Sequence, residues 1–257
     1  MKKYQLDLKV ISNVPVSDDT FMLDMTGSRP LPDVIPGQFA ELLVEGSSST
    51  FLRRPISIHD VDKEENVVRF LIRRAGNGTE TLSKIKAGGV VNVILPLGNG
   101  FDYGKGLSSP LLVGGGVGIA PLLLLGKSMR ADGIEPTFLF GGRKKDNLLR
   151  MAEFEKLGKV FTTTEDGSHG IKGFVTDHSI LKDKQFDYIF ACGPTPMMKA
   201  VARYAASTGT ACQVSLEHKM ACGIGACLCC VEQTKQGNVC VCKEGPVFTT
   251  DKLLWQD

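Results

Sequence analysis

The residues with the plainest chemical purpose are cysteines. The chain has eight, none before Cys192, and six of them fall between Cys222 and Cys242. Disulfide-stabilised secreted chains spread their cysteines, so this crowding reads as metal ligation. Cys222, Cys227, Cys230 and Cys242 follow C-x4-C-x2-C-x11-C. Soft thiolates suit iron–sulfur clusters or zinc. A C-x4-C-x2-C run with a distant fourth cysteine is the plant-type [2Fe–2S] spacing, whereas zinc more often takes two separated C-x2-C pairs. Gly223 and Gly225 can adopt positive φ and turn N–H groups toward the sulfides, stabilising the negative charge of a reduced cluster. Spacing alone also admits Cys229 in place of Cys230 and Cys240 in place of Cys242, and structural zinc on the same thiols is the bland alternative. Cys229 and Cys240 otherwise read as small packed residues.

Three further patterns carry chemistry. The run GGGVGIAP follows the apolar strand LLV, with Gly115, Gly116 and Gly118 before Pro121. Backbone without Cβ can approach a pyrophosphate there, and a helix start supplies oriented N–H groups. The run is not G-x-G-x-x-G, because Pro121 stands where the third glycine would be. The acid expected to end the second strand is replaced by Gly141, Gly142 and Arg143. Cys192, Gly193 and Pro194 end another strand and precede a helix, at the carboxyl edge where open α/β sheets bind ligands. The third pattern is Arg54-Pro55-Ile56-Ser57, with Leu71-Ile72-Arg73 and Gly78-Thr79 beyond it. Arginine can pair with a phosphate and the Ser57 hydroxyl can donate to a flavin nitrogen, although solvated strand charges are the simpler reading of such arginines. Glu217, His218 and Lys219 read as a solvated turn or a partner surface, and His59, His169 and His178 as structural.

The elements that must position these residues divide the chain. YQLDLKVIS, TFMLDMTG, FAELLVEG, RRPISIHD, VVRFLIRR and VVNVILPLG are short β runs separated by Gly, Asn and Asp, which predicts a small antiparallel barrel. GNGFDYGKG is the expected linker near residue 103. Beyond it LLV, PTFLF, KVFTTT and FDYIFA alternate with helical patterns, among them PMMKAVARYAASTG with Pro196 in its first turn. That alternation predicts a parallel α/β sheet. The expected division is residues 1–103 barrel, 104–212 α/β nucleotide domain and 213–257 cysteine-rich domain, an α+β multidomain chain. The last piece is too short for its own apolar core and needs a metal or its neighbours.

Composition excludes other classes. Hydrophobic residues make up 42% and charged residues 23%, against disorder, and a net charge of +2 from 30 basic and 28 acidic residues argues against nucleic-acid binding. The start MKKYQLDLKVI holds Asp7 and Lys9 where a signal peptide needs an apolar run. Gly106–Gly126 is uncharged and long enough to span a bilayer, but its glycines and prolines predict strand, turn and helix. The expected location is the cytoplasm, with no membrane attachment.

In combination these motifs resemble the ferredoxin reductase superfamily, in which a flavin barrel carries R-x-[YF]-[ST], an α/β domain carries G-G-x-G-x-x-P and a later strand ends in C-G-P. Ile56 departs from the usual aromatic. The resemblance narrows to the electron-transfer subunits of type B dihydroorotate dehydrogenase, through PGQF (36–39), LRRPISI (52–58), LPLGNGF (95–101), GGGVGIAPL (114–122), EDGSHGIKG (165–173), CGP (192–194), MACGIGAC (220–227) and EGPVF (244–248). RPIS, with isoleucine, is that subfamily's form of the flavin motif. Related small subunits of ferredoxin-dependent NADPH oxidoreductases use aspartate where this chain has Cys222.

The resemblance implies an oxidoreductase subunit of pyrimidine (UMP) biosynthesis with no catalytic residue or dihydroorotate site of its own. It would pass electrons from the FMN of a catalytic partner, in a heterotetramer of two subunits of each kind, through [2Fe–2S] and FAD to NAD⁺. A cluster takes one electron and nicotinamide takes two, and a flavin can exchange either. The implied ligands are Cys222, Cys227, Cys230 and Cys242 for iron. Arg54, Pro55, Ile56, Ser57, Leu71, Ile72, Arg73, Gly78 and Thr79 fall to FAD. Gly115, Gly116, Gly118 and Pro121 fall to the nucleotide phosphates, and Cys192, Gly193 and Pro194 to the nicotinamide. Arg143, Lys144 and Lys145 leave NADP open as the coenzyme. The competing readings are a self-sufficient NAD(P)H reductase feeding an oxygenase or soluble carrier, and a zinc-stabilised binding module.

Overall fold

Alternation in the first strand sets the pattern of the N-terminal half. Along β1 (Tyr4–Pro15) the side chains of Leu8 and Val10 are buried while Asp7 and Lys9 are exposed, the period-two signature of a sheet covered on one face. The computed structural model describes residues 2–104 and 106–255. With β2 (Thr20–Thr26), β3 (Phe39–Leu42), β4 (Arg54–Ser57), β5 (Asp60–Asp62), β6 (Val67–Arg73) and β7 (Val90–Leu97), β1 forms an antiparallel sheet ordered β4-β3-β7-β1-β2-β6-β5. Its edge strands β4 and β5 are joined by Ile58 and His59, whose N–H groups bond Gln38 O and Arg69 O at 3.0 Å each, so the sheet curls into the expected barrel. β2 is apolar on both faces because it is covered twice. Phe21, Leu23 and Met25 enter the barrel core, and Met22 packs with leucines of the next domain. The helix α1 (Asn77–Leu82) caps one end and was not legible as a helix, being too short for any periodicity.

The second sheet is built from β8 (Pro110–Gly115), β9 (Thr137–Gly142), β10 (Lys159–Thr164), β11 (Ile171–Lys172), β12 (Tyr188–Cys192) and β13 (Ala211–Ser215), all parallel, in the order β11-β10-β9-β8-β12-β13. α2 (Ala120–Ala131), α3 (Met151–Glu155), α4 (Ile180–Asp183) and α5 (Thr195–Thr208) lie between them. Gly106–Gly126 is divided among β8, a 3₁₀ turn at 116–119 and the start of α2, and no helix among the described residues is long and apolar enough to cross a membrane. β8 lies between β9 and β12, so the direction of winding reverses there, and the crevice beyond their carboxyl ends is where such sheets bind ligands.

The cysteine-rich segment is less separate than its sequence suggests. β13 runs to Ser215, across the division expected at residue 212. After the hairpin β14 (Val231–Thr234) and β15 (Gly237–Cys240) and the turn of helix α6 (Val241–Glu244), the chain returns as β16 (Val247–Thr249) and pairs antiparallel with β13. Cys230, Cys240, Cys242, Phe248 and Trp255 share one apolar core with Val214, Met198 and Val201 of the α/β domain. The neighbours therefore supply the core that the segment lacks.

The linker is fixed as well: Asp102 N–H donates to Gln213 Oε1 (3.1 Å) and Gln213 Nε2 donates to Asp102 O (2.6 Å). Barrel and α/β domain meet at Asp60, 2% exposed, whose carboxylate holds Arg69 of β6 at 2.8 Å and Lys127 of α2 at 2.7 Å. Buried His59 adds a 2.8 Å bond between its Nδ1 and Ala120 O.

Candidate nucleotide and metal sites

The loop after β13 aims backbone N–H groups at sulfur. Gly223 (φ +66°) and Gly225 (φ +85°) hold conformations that side chains resist. Ile224 and Ala226 N–H donate to Cys222 Sγ at 3.5 and 3.3 Å, Gly225 N–H to Cys242 Sγ at 3.1 Å, and Cys242 N–H to Cys230 Sγ at 3.3 Å. Among the described residues no three ligating side chains gather as a metal-ion site, but the thiols lie in two neighbouring pairs, Cys222 beside Cys227 and Cys230 beside Cys242. Burial opposes ionisation of Cys222, yet the N–H groups of Ile224, Cys227 and Ala226 and the Cys227 thiol overcome it and bring its pKa down to about 6. Burial, with the Cys230 thiol beside it, pushes Cys242 up to about 12. Of the alternatives, exposed Cys229 donates to Lys219 O at 3.6 Å, while Cys240 shares the core of Cys230 and Cys242 and lies near enough to Cys230 and Cys227 to feel their charge. Sulfur-directed N–H donors and paired soft ligands are what an iron–sulfur cluster requires. The outer rim is apolar and open, with Leu228 67% and Ile224 45% exposed beside exposed Cys227.

Under this loop lies Glu41, which no sequence pattern had marked. It is fully buried on β3, and neither carboxylate oxygen has a hydrogen-bond partner among the described residues. A Cβ on Gly223 would stand 2.6 Å from Glu41 Cγ, so the glycine lets the cysteine loop rest on the barrel. Burial lifts the carboxyl from 4.5 to about 7, against the attraction of Arg54 and Arg53 and with the added repulsion of Cys222.

The expected flavin residues gather at the neighbouring edge. Glu41 and Pro55 are cross-strand partners on β3 and β4. Gly78 of α1 fits against Arg54 because it lacks a side chain; a Cβ would meet Arg54 Cδ at 2.9 Å. Arg54 bonds only the carbonyls of Arg53 and Leu52 and has no carboxylate in ion-pair range among the described residues, leaving its charge for an anion. Thr79 Oγ1 already receives Ala75 N–H at 2.9 Å. Leu71 and Ile72 are 2% and 1% exposed, so their side chains belong to the core and only their main chain can reach a ligand. β5 pairs with β6 only as far as Arg69, which leaves the outer edge of β6 from 70 to 73 without a strand partner. An open strand edge beside an unpaired guanidinium and a bare glycine fits a flavin nucleotide.

Between barrel and α/β sheet opens a cavity of about 550 Å³, the size of a small-ligand site. Gly115, Gly116 and Pro194 line it, as does Arg73 from the barrel. Gly116 has φ +55° with open space around it. Gly118 and the C-G-P turn are packed against each other: a Cβ on Gly118 would stand 2.5 Å from Cys192 O and from Gly193 Cα. The two nucleotide signals thus form one surface. Pro121 is buried in the first turn of α2, where it starts the helix. Burial pushes the half-buried Cys192 thiol up to about 12, against a hydrogen bond with Ser215, so it stays a neutral thiol. The cavity also takes Asp19, Thr20, Glu165 and Phe174, of which only Glu165 fell within a quoted motif.

Residues 217–254 match the iron–sulfur cluster binding domain of dihydroorotate dehydrogenase B, and residues 112–203 match the oxidoreductase NAD-binding domain. The electron transfer subunit of dihydroorotate dehydrogenase B (NAD(+)) from Fusobacterium nucleatum is 39% identical over 255 residues, covering 94% of this chain and 95% of its own. The subunit of the same name from Clostridium acetobutylicum is 39% identical over 258 residues, covering 100% and 99%. Among solved structures, an NADH-dependent reduced ferredoxin-NADP oxidoreductase described for flavin-based electron bifurcation superposes with a TM-score of 0.87 at 31% identity, covering 96% of this chain and 90% of that one. The ferredoxin reductase of carbazole 1,9a-dioxygenase, with a TM-score of 0.69 at 20% identity over 82% of this chain and 67% of that one, shares the fold.

Proposed function

This chain belongs to the electron-transfer subunits of NAD(+)-dependent dihydroorotate dehydrogenase B, and we propose that it carries electrons from the FMN of a dihydroorotate-oxidising partner to NAD⁺, in a cytoplasmic complex of two subunits of each kind. The observation that carries this reading is the adjacency of three sites. The thiol loop rests on Glu41, Glu41 is paired across the sheet with the Arg54–Ser57 strand, and the barrel contributes Arg73 to the nucleotide cavity.

When bound, [2Fe–2S] and FAD supply the one- and two-electron exchange that no side chain here can perform. The chain holds and orients them. Cys222, Cys227, Cys230 and Cys242 would hold the cluster, with the N–H groups of residues 224–226 and 242 stabilising negative charge on sulfur. Arg54, Ser57, Gly78 and the main chain of Leu71, Ile72 and Arg73 would hold FAD, with Pro55, Ile56 and Thr79 shaping the groove. Gly115, Gly116 and Pro194 would cradle the dinucleotide; Gly118, Pro121, Cys192 and Gly193 support that cradle from behind. The exposed rim of Ile224, Cys227 and Leu228 offers the partner a dry approach to the cluster, since apolar contact excludes water from the electron's path. The crowding of thiols as ligands fits a reducing compartment.

The test is a visible spectrum of anaerobically purified protein before and after NADH. Overlapping flavin and iron–sulfur bands that bleach on addition are expected, together with FMN and a second polypeptide in the isolated complex. A colourless, zinc-bearing protein refutes the reading.

A further inference from the structure

The junction between barrel and α/β domain holds a buried imidazole that the sites above leave unassigned. His59 is fully buried, two residues beyond Ser57 of β4. Its main chain belongs to the barrel: His59 N–H donates to Arg69 O of β6 at 3.0 Å, one residue before the open edge at 70–73. Its ring belongs to the other domain. Nδ1 stands 2.8 Å from Ala120 O, and a carbonyl only accepts, so Nδ1 carries the proton. Ala120 opens α2, two residues after Gly118 and one before Pro121. Across the ring, Nε2 faces Glu153 Oε2 of α3 at 3.7 Å, and neither atom has a hydrogen-bond partner among the described residues. Glu153 is itself held by Arg150. The next residue, Phe154, packs edge-on against Phe138 and Phe140 of β9, with ring centroids 5.2 and 4.7 Å away. Leu149, just before Arg150, lines the nucleotide cavity.

One residue thus ties the flavin strands of the barrel to the helix that begins at the nucleotide turn. Hydride passes only between atoms held about 3–3.5 Å apart, and an error of 1 Å can cost about a hundredfold in rate. Flavin and nicotinamide would be held by different domains, so that distance is only as exact as the junction. α2 is tied to the barrel at two points, Ala120 to His59 and Lys127 to Asp60. About 10 Å of helix separates them, which fixes its tilt as well as its position. The two ties differ in stiffness. Lys127 reaches across on a flexible four-carbon stem, 46% exposed, and its ammonium can turn without losing its partner. The His59 ring is enclosed and turns about two torsions only. We propose that His59 is a positioning residue for hydride transfer: through Nδ1 and Ala120 O it sets the Gly116–Pro121 turn against the flavin strands, a role that rests on the reading of barrel and cavity as flavin and nicotinamide sites.

The experiment compares two amides at this position in the intact complex. His59→Asn keeps an N–H donor where Nδ1 stands; His59→Gln moves the donor to the place of Nε2 and leaves Ala120 O without one. Both side chains are polar and smaller than or equal to the ring in reach, so neither overfills the site. The first measurement is amide hydrogen exchange of the segment 116–125 without added nucleotide. Exchange is expected about fivefold faster in His59→Gln than in His59→Asn, the loss of one neutral hydrogen bond. The second is stopped-flow bleaching of the flavin at saturating NADH, whose rate constant does not depend on how much protein is folded. His59→Asn is expected to stay within about threefold of wild type and His59→Gln to fall about 10- to 100-fold, while the Kd for NADH taken from the saturation curve changes less than about twofold. Equal exchange in the two variants, equal limiting rates, or a loss that appears in Kd instead of the limiting rate overturns the assignment and leaves His59 a packing residue. If NADH bleaches the wild type in that case, the assignment alone has failed; if NADH bleaches nothing, the functional reading has failed and the assignment with it.

Discussion

Replacing Glu41 by glutamine tests whether a buried, unpartnered carboxyl truly lies between barrel and cysteine loop. Unfolded, a glutamate titrates near 4.5; folded, this one titrates near 7 because burial disfavours its charge. Below pH 4.5 both states carry the proton and the group has no effect. As pH rises toward 7 the unfolded chain loses its proton first, so stability falls, and above 7 the whole cost is present, about 3 kcal/mol. Between pH 6 and pH 8 the change is about 1 kcal/mol. For a chain of this size that lowers the melting midpoint by about 2–4 °C. Glutamine has the same shape and no charge. Melting of wild type and Glu41→Gln, followed by flavin fluorescence at the two pH values, should show the wild type losing that margin relative to the variant as pH rises. Parallel responses would refute the argument and mean that the carboxyl finds a partner or water.

Other outcomes follow from the same geometry. Cys227→Ser should abolish the iron content of the chain, checked by metal analysis, while the far-ultraviolet dichroism of the sheets persists. Gly118→Ala forces a Cβ onto Cys192 O and Gly193 Cα; it should cost about 1–3 kcal/mol of stability and raise the KM for NADH, measured by denaturation and steady-state rates. At pH 8 the Cys192 thiol, with its pKa pushed up to about 12, is ionised to roughly one part in ten thousand. Alkylation followed by peptide mass mapping should therefore modify exposed Cys229 and leave Cys192 intact.

What could be read in advance was whatever the covalent sequence itself carries. The C-x4-C-x2-C-x11-C spacing survives any fold, so four thiols could be proposed as ligands from it alone, and β8, β12 and α5, whose apolar runs end in Gly or Pro, were legible. Pairing that depends on distant partners was not. β16 is three residues long and joins the sheet only because β13 offers an edge, so the cysteine segment looked more independent than it is. Leu71 and Ile72 belonged to a motif, yet their alternation buries both side chains, one toward each core. Glu41 sits in FAEL, where β alternation allows a polar residue, and only the approach of Gly223 makes its burial visible.

The antiparallel pairing of Ser215 with Val247 has a consequence for repair. It pins both ends of the cysteine-bearing loop at strand spacing, about 5 Å, whatever occupies the thiols. The entropy of closing that loop is borne by the sheet rather than by the metal. A centre destroyed by oxygen can then be rebuilt in place, by reassembling a few turns on a standing frame instead of refolding the polypeptide.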